Sequence, residues 1–188
     1  MHGHRTMAGI AVAAMLLATA GCGKVAEKVA EHQLGSGSKV KISNGKVSVN
    51  DGKGNSYTAD PNGVHVSTPN GSSDSNIGTK LPAGWPSELK PPASITITYG
   101  ISNTSGGKST MSATGTTSAP VKDVYAGVKK QLTDAGYTLV SDNLSTTGGM
   151  SIGVLSAKNS KYEVSVEVGS SPTASGTTSV TMSITSAN

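Results

Sequence analysis

Through much of this chain, apolar and hydroxyl side chains alternate with a period of two, in short runs broken by glycine. Ile95, Ile97, Tyr99 and Ile101 interleave with Thr and Ser; Tyr162, Val164, Val166 and Val168 and then Val180, Met182 and Ile184 repeat the pattern. Met111/Ala113, Tyr137/Leu139 and Met150/Ile152/Val154 add three shorter cases. A strand sends successive side chains to opposite faces, so each of these six segments has one apolar face and one wet face. That is the mark of an antiparallel sheet solvated on one side.

One stretch changes period. In 120–135 (PVKDVYAGVKKQLTDA) the apolar residues at 121, 124, 125, 128, 132 and 135 keep close to 3.6, which predicts a helix. Ser118 is the expected N-cap, with Pro120 in the first turn and Gly136 as the stop. The expected fold class is therefore α+β: an antiparallel sheet of about six strands (β-β-α-β-β-β-β) over 94–188, with one helix on one face.

The preceding segments carry weaker signals. In 39–69 the pairs Val40/Ile42, Val47/Val49, Tyr57/Ala59 and Val64/Val66 are separated by Asn44-Gly45, Asp51-Gly52 and Pro61-Asn62-Gly63. These are hairpin turns, and they predict a small β-meander of three or four strands with little core of its own. Residues 70–93 read as a polar linker followed by an extended strap, LPAGWPSELKPP, whose four prolines exclude a helix. Its Trp85, the one tryptophan, is expected to plug the edge of the following core. Residues 22–38 hold a short amphipathic helix, GKVAEKVAEHQL, and a Gly/Ser hinge.

Residues 1–21 read as an address. Arg5 is followed by an uncharged apolar run, Met7 to Ala18, too short to span a bilayer and right for a signal-peptide core. Ala20-Gly21 then meets Cys22, the single cysteine of the 188 residues. In a bacterial lipobox such a thiol takes a diacylglycerol thioether and the new terminal amine is acylated. Cleavage after Ala20 at Ala18-Thr19-Ala20 is the alternative, giving a secreted soluble protein with an unpaired exposed thiol. The lone cysteine favours lipidation. With no twin-arginine pair, export is expected through the general route.

The succession of lipobox, KVAEKVAE helix, Gly-rich short strands, Trp85-Pro86 strap and a helix ending in Leu132-Thr133-Asp134-Ala135-Gly136-Tyr137 resembles small bacterial lipoproteins of actinobacterial type, of unknown function. The usual leucine three before the cysteine is Thr19 here. The resemblance implies a domain tethered at the extracytoplasmic face of the cell membrane, and it carries no catalytic residue.

Chemistry-bearing motifs are sparse. Fourteen lysines against eleven carboxylates, with no arginine after Arg5, do not suit a nucleic-acid binder. Gly106-Gly107-Lys108-Ser109-Thr110 lacks the first glycine of a phosphate loop and lies between strands. His32 and His65 stand on separate segments, and Asp51, Asn55 and Asp60 miss the calcium-loop spacing. Glu163 and Glu167, about 13 Å apart along one strand, are too distant for an acid/base pair. No catalytic residue, metal site or cofactor is expected. The expected function is a non-enzymatic lipoprotein with a binding or envelope-support role, its partners the bilayer through Cys22 and an envelope protein or glycan. Thr96, Thr98, Ser112, Thr114, Ser165, Thr181, Ser183 and Thr185 are expected on the wet face, where a ligand would meet hydroxyls. An alternative is a carrier or sensor holding a small apolar ligand between the helix (Val121, Val124, Val128, Leu132) and the sheet.

Overall fold

The structure, a computed structural model, describes Lys28, Glu31, residues 37–170 and residues 176–187. Its strands are β1 (Lys39–Ser43), β2 (Lys46–Asn50), β3 (Ser56–Asp60), β4 (Gly63–Thr68), β5 (Gly71–Ile77), β6 (Thr96–Ser105), β7 (Lys108–Thr117), β8 (Thr138–Thr147), β9 (Met150–Lys158), β10 (Tyr162–Ser170) and β11 (Thr178–Ser186). The long helix α1 spans Val121–Asp134 between β7 and β8. The strand order is β1-β2-β3-β4-β5-β6-β7-β11-β10-β9-β8.

The class is α+β with a large antiparallel sheet, but the expected count of about six strands is wrong: the sheet has eleven. Part of the shortfall comes from Gly71–Ile77 (GSSDSNI), read from sequence as linker. It has a single apolar residue and no alternation, so its strand character rests on backbone pairing and not on burial. The Gly78 N–H donates to the Thr98 carbonyl at 3.1 Å, and the Ser75 hydroxyl to the Tyr99 hydroxyl at 3.1 Å. The rest comes from β1–β4, four consecutively paired antiparallel strands within the 39–69 stretch, which stand at one end of the strand order. Of the helix expected over 23–34, Lys28 and Glu31 are described, and both are helical.

The chain divides into two compact units between Ser73 and Asp74, within β5. In the first, Val40 faces Val49, Val49 faces Tyr57 and Tyr57 faces Val66, so the apolar residues share one face. Among its described residues Val40 and Val49 form the buried apolar cluster, packed by Ile42, Val47 and Tyr57. Asn44 and Gly45 both take positive φ, 50° and 74°, as a two-residue turn between right-twisting strands requires.

The second unit has one core between the sheet and α1. Val124, Tyr125, Val128 and Leu132 of the helix meet Leu155, Val164, Val166, Val168, Met182 and Ile184 of the strands. Register places small residues beside large ones: Gly153 opposite Val168, Ala157 opposite Val164, Ala113 opposite Met182 and Gly115 opposite Val180. These gaps admit side chains from other layers. The Tyr125 ring sits over Gly153, and Ile95 lies over Gly115, where a Cβ would come within 2.7 Å of it.

The C-terminus of α1 follows its sequence signal. The Tyr137 N–H reaches the Leu132 carbonyl and the Gly136 N–H the Thr133 carbonyl, both at 3.0 Å, with Gly136 at φ 79°. This is a Schellman motif, and its apolar pair Leu132/Tyr137 is buried in the core. At the other end the cap is Pro120, not Ser118, and it offers no side-chain bond. The expectation at Ser118 fails because the preceding turn uses different hydroxyls. Thr117 accepts the Ala119 N–H at 3.2 Å, while Thr178 donates to the Ala119 carbonyl at 2.6 Å.

The strap between β5 and β6 docks on this core. Leu89 is completely buried, and Trp85, half-buried, donates its indole N–H to the Leu89 carbonyl at 2.9 Å. Gln131 of α1 donates to the Glu88 and Lys90 carbonyls at 3.1 and 2.8 Å, tying strap to helix.

Two glycines with opposite surroundings give a paired test. Gly153→Ala would push a methyl into the Tyr125 ring and is expected to cost about 1–3 kcal/mol in urea unfolding. Gly127, on the exposed side of α1, has open space around it, so Gly127→Ala is expected to add about 0.5–1 kcal/mol.

Candidate functional site

The core occupies one face of the second unit's sheet, and the opposite face is open. Register builds this face as rows running across the strands. Ser112, Ser183, Ser165, Ser156 and Ser141 lie side by side on β7, β11, β10, β9 and β8, a serine row about 19 Å long. The next row reads Tyr99, Thr114, Thr181, Glu167, Val154 and Asn143 from β6 to β8.

The hydroxyls bond one another laterally. Ser183 donates to Ser112 at 3.2 Å, Thr114 and Thr181 share a bond of 3.3 Å, and Ser141 and Ser156 one of 3.0 Å. Of the residues named from sequence, Ser112, Thr114, Ser165, Thr181, Ser183 and Thr185 fall on this face, and Thr96 joins it opposite Thr116. Thr98 sits in a bulge between Ile97 and Tyr99, where its hydroxyl bonds the Thr114 carbonyl at 3.2 Å. Alternation revealed the face in β7, β10 and β11, whereas Tyr99, Ile101, Met150, Ile152 and Val154, expected on the apolar side, fall on the open one. Ser141 and Ser156 could not be read as members of the row, because register is a property of pairs of strands.

A polar cluster missed at the sequence level lies at the sheet margin. The Tyr125 hydroxyl donates to Asp142 Oδ1 at 2.5 Å, and the Lys129 ammonium bonds and pairs with Asp142 Oδ2. Tyr125 and Lys129 are four apart on α1, hence on one helix face, and Asp142 comes from β8. The Lys129 and Tyr125 hydrogen bonds hold the Asp142 carboxyl below its ordinary range. Burial, then the bond to Asp142, pushes the Tyr125 phenol up to about 12. A phenol held protonated at neutral pH is a donor and not a base, so the trio works as a latch between helix and strand.

Other sequence-level candidates find structural uses. Asp51 accepts the Lys53 and Asn55 N–H groups at 2.8 and 3.0 Å and the Asn55 side-chain amide, closing the β2–β3 loop. The Asn55 bond leads in holding its carboxyl low. Gly106 and Gly107, both at positive φ, make the β6–β7 hairpin turn. Among the described residues no cluster of three His, Cys, Asp or Glu is arranged to hold a metal. Between α1, the strap and the sheet, Pro91, Ile97, Val128 and Met182 help to line an apolar gap of about 10 Å³, roughly the space of one water. Cys22 and His32 lie outside the described residues.

Comparison of the chain with protein-family models, with curated proteins and with solved structures finds no match.

The latch sets opposite pH dependences at the two ends of the scale. Because folding lowers the Asp142 pKa, its contribution is present above the usual carboxylate value near 3.8 and is lost as acid takes the pH through the folded value. Tyr125 is raised, so its contribution is complete below about pH 10 and disappears between about 10 and 12. Urea titrations across pH are expected to show Asp142→Asn flattening the acid limb and Tyr125→Phe the alkaline limb.

Proposed function

We propose that this chain is an exported bacterial lipoprotein, held at the extracytoplasmic face of the cell membrane through a diacylglycerol thioether on Cys22, with a non-enzymatic binding or envelope-support role. The observation that carries the reading is the position of the single cysteine. It follows directly on Ala20-Gly21 at the end of the uncharged run Met7 to Ala18, with Arg5 in front. Acyl chains at about 0.8 kcal/mol per buried methylene make a two- or three-chain anchor stable, where a single chain would bind only reversibly. Among the described residues no helix is long and apolar enough to cross a membrane.

A non-enzymatic role is supported by how the described polar groups are spent. The hydroxyls of the open face bond their neighbours, the Asp51 carboxylate closes a loop, and the Tyr125–Asp142–Lys129 trio holds a strand. A binding role draws on the same face, where rows of hydroxyls cross the strands and present donors and acceptors to solvent.

Metabolic labelling with an alkyne fatty acid in a bacterial host tests the anchor. The wild-type chain is expected to take label and partition into the detergent phase; Cys22→Ser is expected to take none and to accumulate as the longer precursor. An unlabelled mature form starting at Gly21 in the medium would overturn the reading.

A further inference from the structure

We propose that the outer edge of β8 is a self-association surface, pairing antiparallel with β8 of a second copy about a two-fold axis at Leu144. The inference is independent of the membrane anchor.

Among the described residues β8 ends the strand order, and it is ten residues long. Edge strands ordinarily carry lysine or proline, or are short, because their unpaired backbone groups invite another strand. β1, at the other end of the order, has five residues and holds Lys39 and Lys41. β8 (TLVSDNLSTT) has neither lysine nor proline, and its one charge, Asp142, is already bonded by Lys129 and Tyr125. Its one protective device is the irregularity at Val140, which leaves 141–147 regular. The hairpin is also where apolar surface is exposed. Of seven large apolar side chains exposed among the described residues, Val140 and Leu144 are on β8 itself, and Met150, Ile152 and Val154 are on the open face of β9, one strand in.

The turn fixes which backbone groups face outward. Gly148 and Gly149, at φ 60° and 81°, form a two-residue hairpin loop closed by the pair Thr147/Met150. In such a hairpin the closing pair exchanges hydrogen bonds, and bonded pairs then recur at every second residue. Ser145, Asn143 and Ser141 therefore bond inward to β9. Asp142, Leu144 and Thr146 present their N–H and C=O groups to the open edge.

With these outward groups, the two-fold register centred on Leu144 pairs 141–147 throughout and sets no charge opposite its own copy. Leu144 then faces Leu144, and Asp142 faces Thr146, a hydroxyl able to donate to it. Asn143 faces Ser145 and Ser141 faces Thr147, all polar on the wet face. Centring the axis on Asp142 instead would set carboxylate against carboxylate. The helices do not obstruct the pairing. α1 packs on β8, β9 and β10, so the two copies' helices would stand about three strand spacings apart, ~14 Å, beyond the 8–10 Å of packed helices.

The test uses the full chain carrying Cys22→Ser, so that any introduced cysteine is the only thiol. Paired residues that exchange hydrogen bonds have Cα atoms about 5.5 Å apart, within disulfide reach. Leu144→Cys is expected to give a covalent dimer on mild oxidation. Ser141→Cys, about 20 Å from its own copy in this register, is expected to give none. Thr146→Pro removes an outward donor from each copy without touching a β9 bond. It is expected to weaken self-association in sedimentation roughly tenfold or more while leaving thermal unfolding of the monomer in place. A monomeric mass for the Cys22→Ser chain at every soluble concentration, equal cross-linking from Ser141→Cys, or a dimer indifferent to Thr146→Pro would each overturn the proposal. Capture of an extended peptide by a strictly monomeric chain would do the same.

Discussion

The seat of the Tyr125 ring over Gly153 is the contact from which the second unit's geometry follows. A side chain at position 153 would exclude the ring, and with the ring go the height and direction of α1 over β8, β9 and β10. Once the ring is in place, its hydroxyl emerges at Asp142, Lys129 follows one turn later, and Gln131 comes within reach of the strap carbonyls. One missing Cβ thus coordinates core, latch and strap. Ile95 over Gly115 repeats the device at the start of β6. With no phenylalanine in the chain, filling such gaps falls to a tyrosine and to branched aliphatic side chains.

The open face meets a different constraint. A sheet face wetted by water needs polar side chains that still favour extended backbone, and threonine does both. Only 14% of residues are charged, so hydroxyls carry much of the solvation. By bonding across strands they also hold neighbouring strands in register, a small contribution per pair that accumulates along rows such as Ser112–Ser183 and Ser141–Ser156.

What could be read from the sequence was whatever a single segment declares about itself. The period of two in β10 and β11, the 3.6 period of 121–132 and the stop at Gly136 are local, and each is strong because it reports burial directly. β5 was invisible for the complementary reason. Its Ser, Asp and Asn side chains carry no burial signal, and pairing of the backbone alone makes it a strand. Ser118 looked like a cap because the rule considers one hydroxyl and one helix start, whereas Thr117 and Thr178 compete for the same turn. The Tyr125–Asp142–Lys129 trio joins residues up to seventeen apart through a helix–sheet packing that no spacing rule describes. The serine row is likewise a matter of register. Cys22, the residue on which the proposed role turns, was legible only as a local signal and lies outside the described residues.

β11, the last of these strands to be synthesised, stands between β7 and β10. Until it arrives, the β6–β7 hairpin and the β8–β9–β10 meander have no shared ladder, and the Val180, Met182 and Ile184 side chains that join their cores are absent. Assembly of the unit therefore waits on a partner more than sixty residues distant from β7 along the chain, a high-contact-order closure that slows folding. A chain emerging amino end first would leave these two parts unjoined until β11 emerged. The central place of β11 thus makes closure of the second unit's sheet the latest step in its assembly.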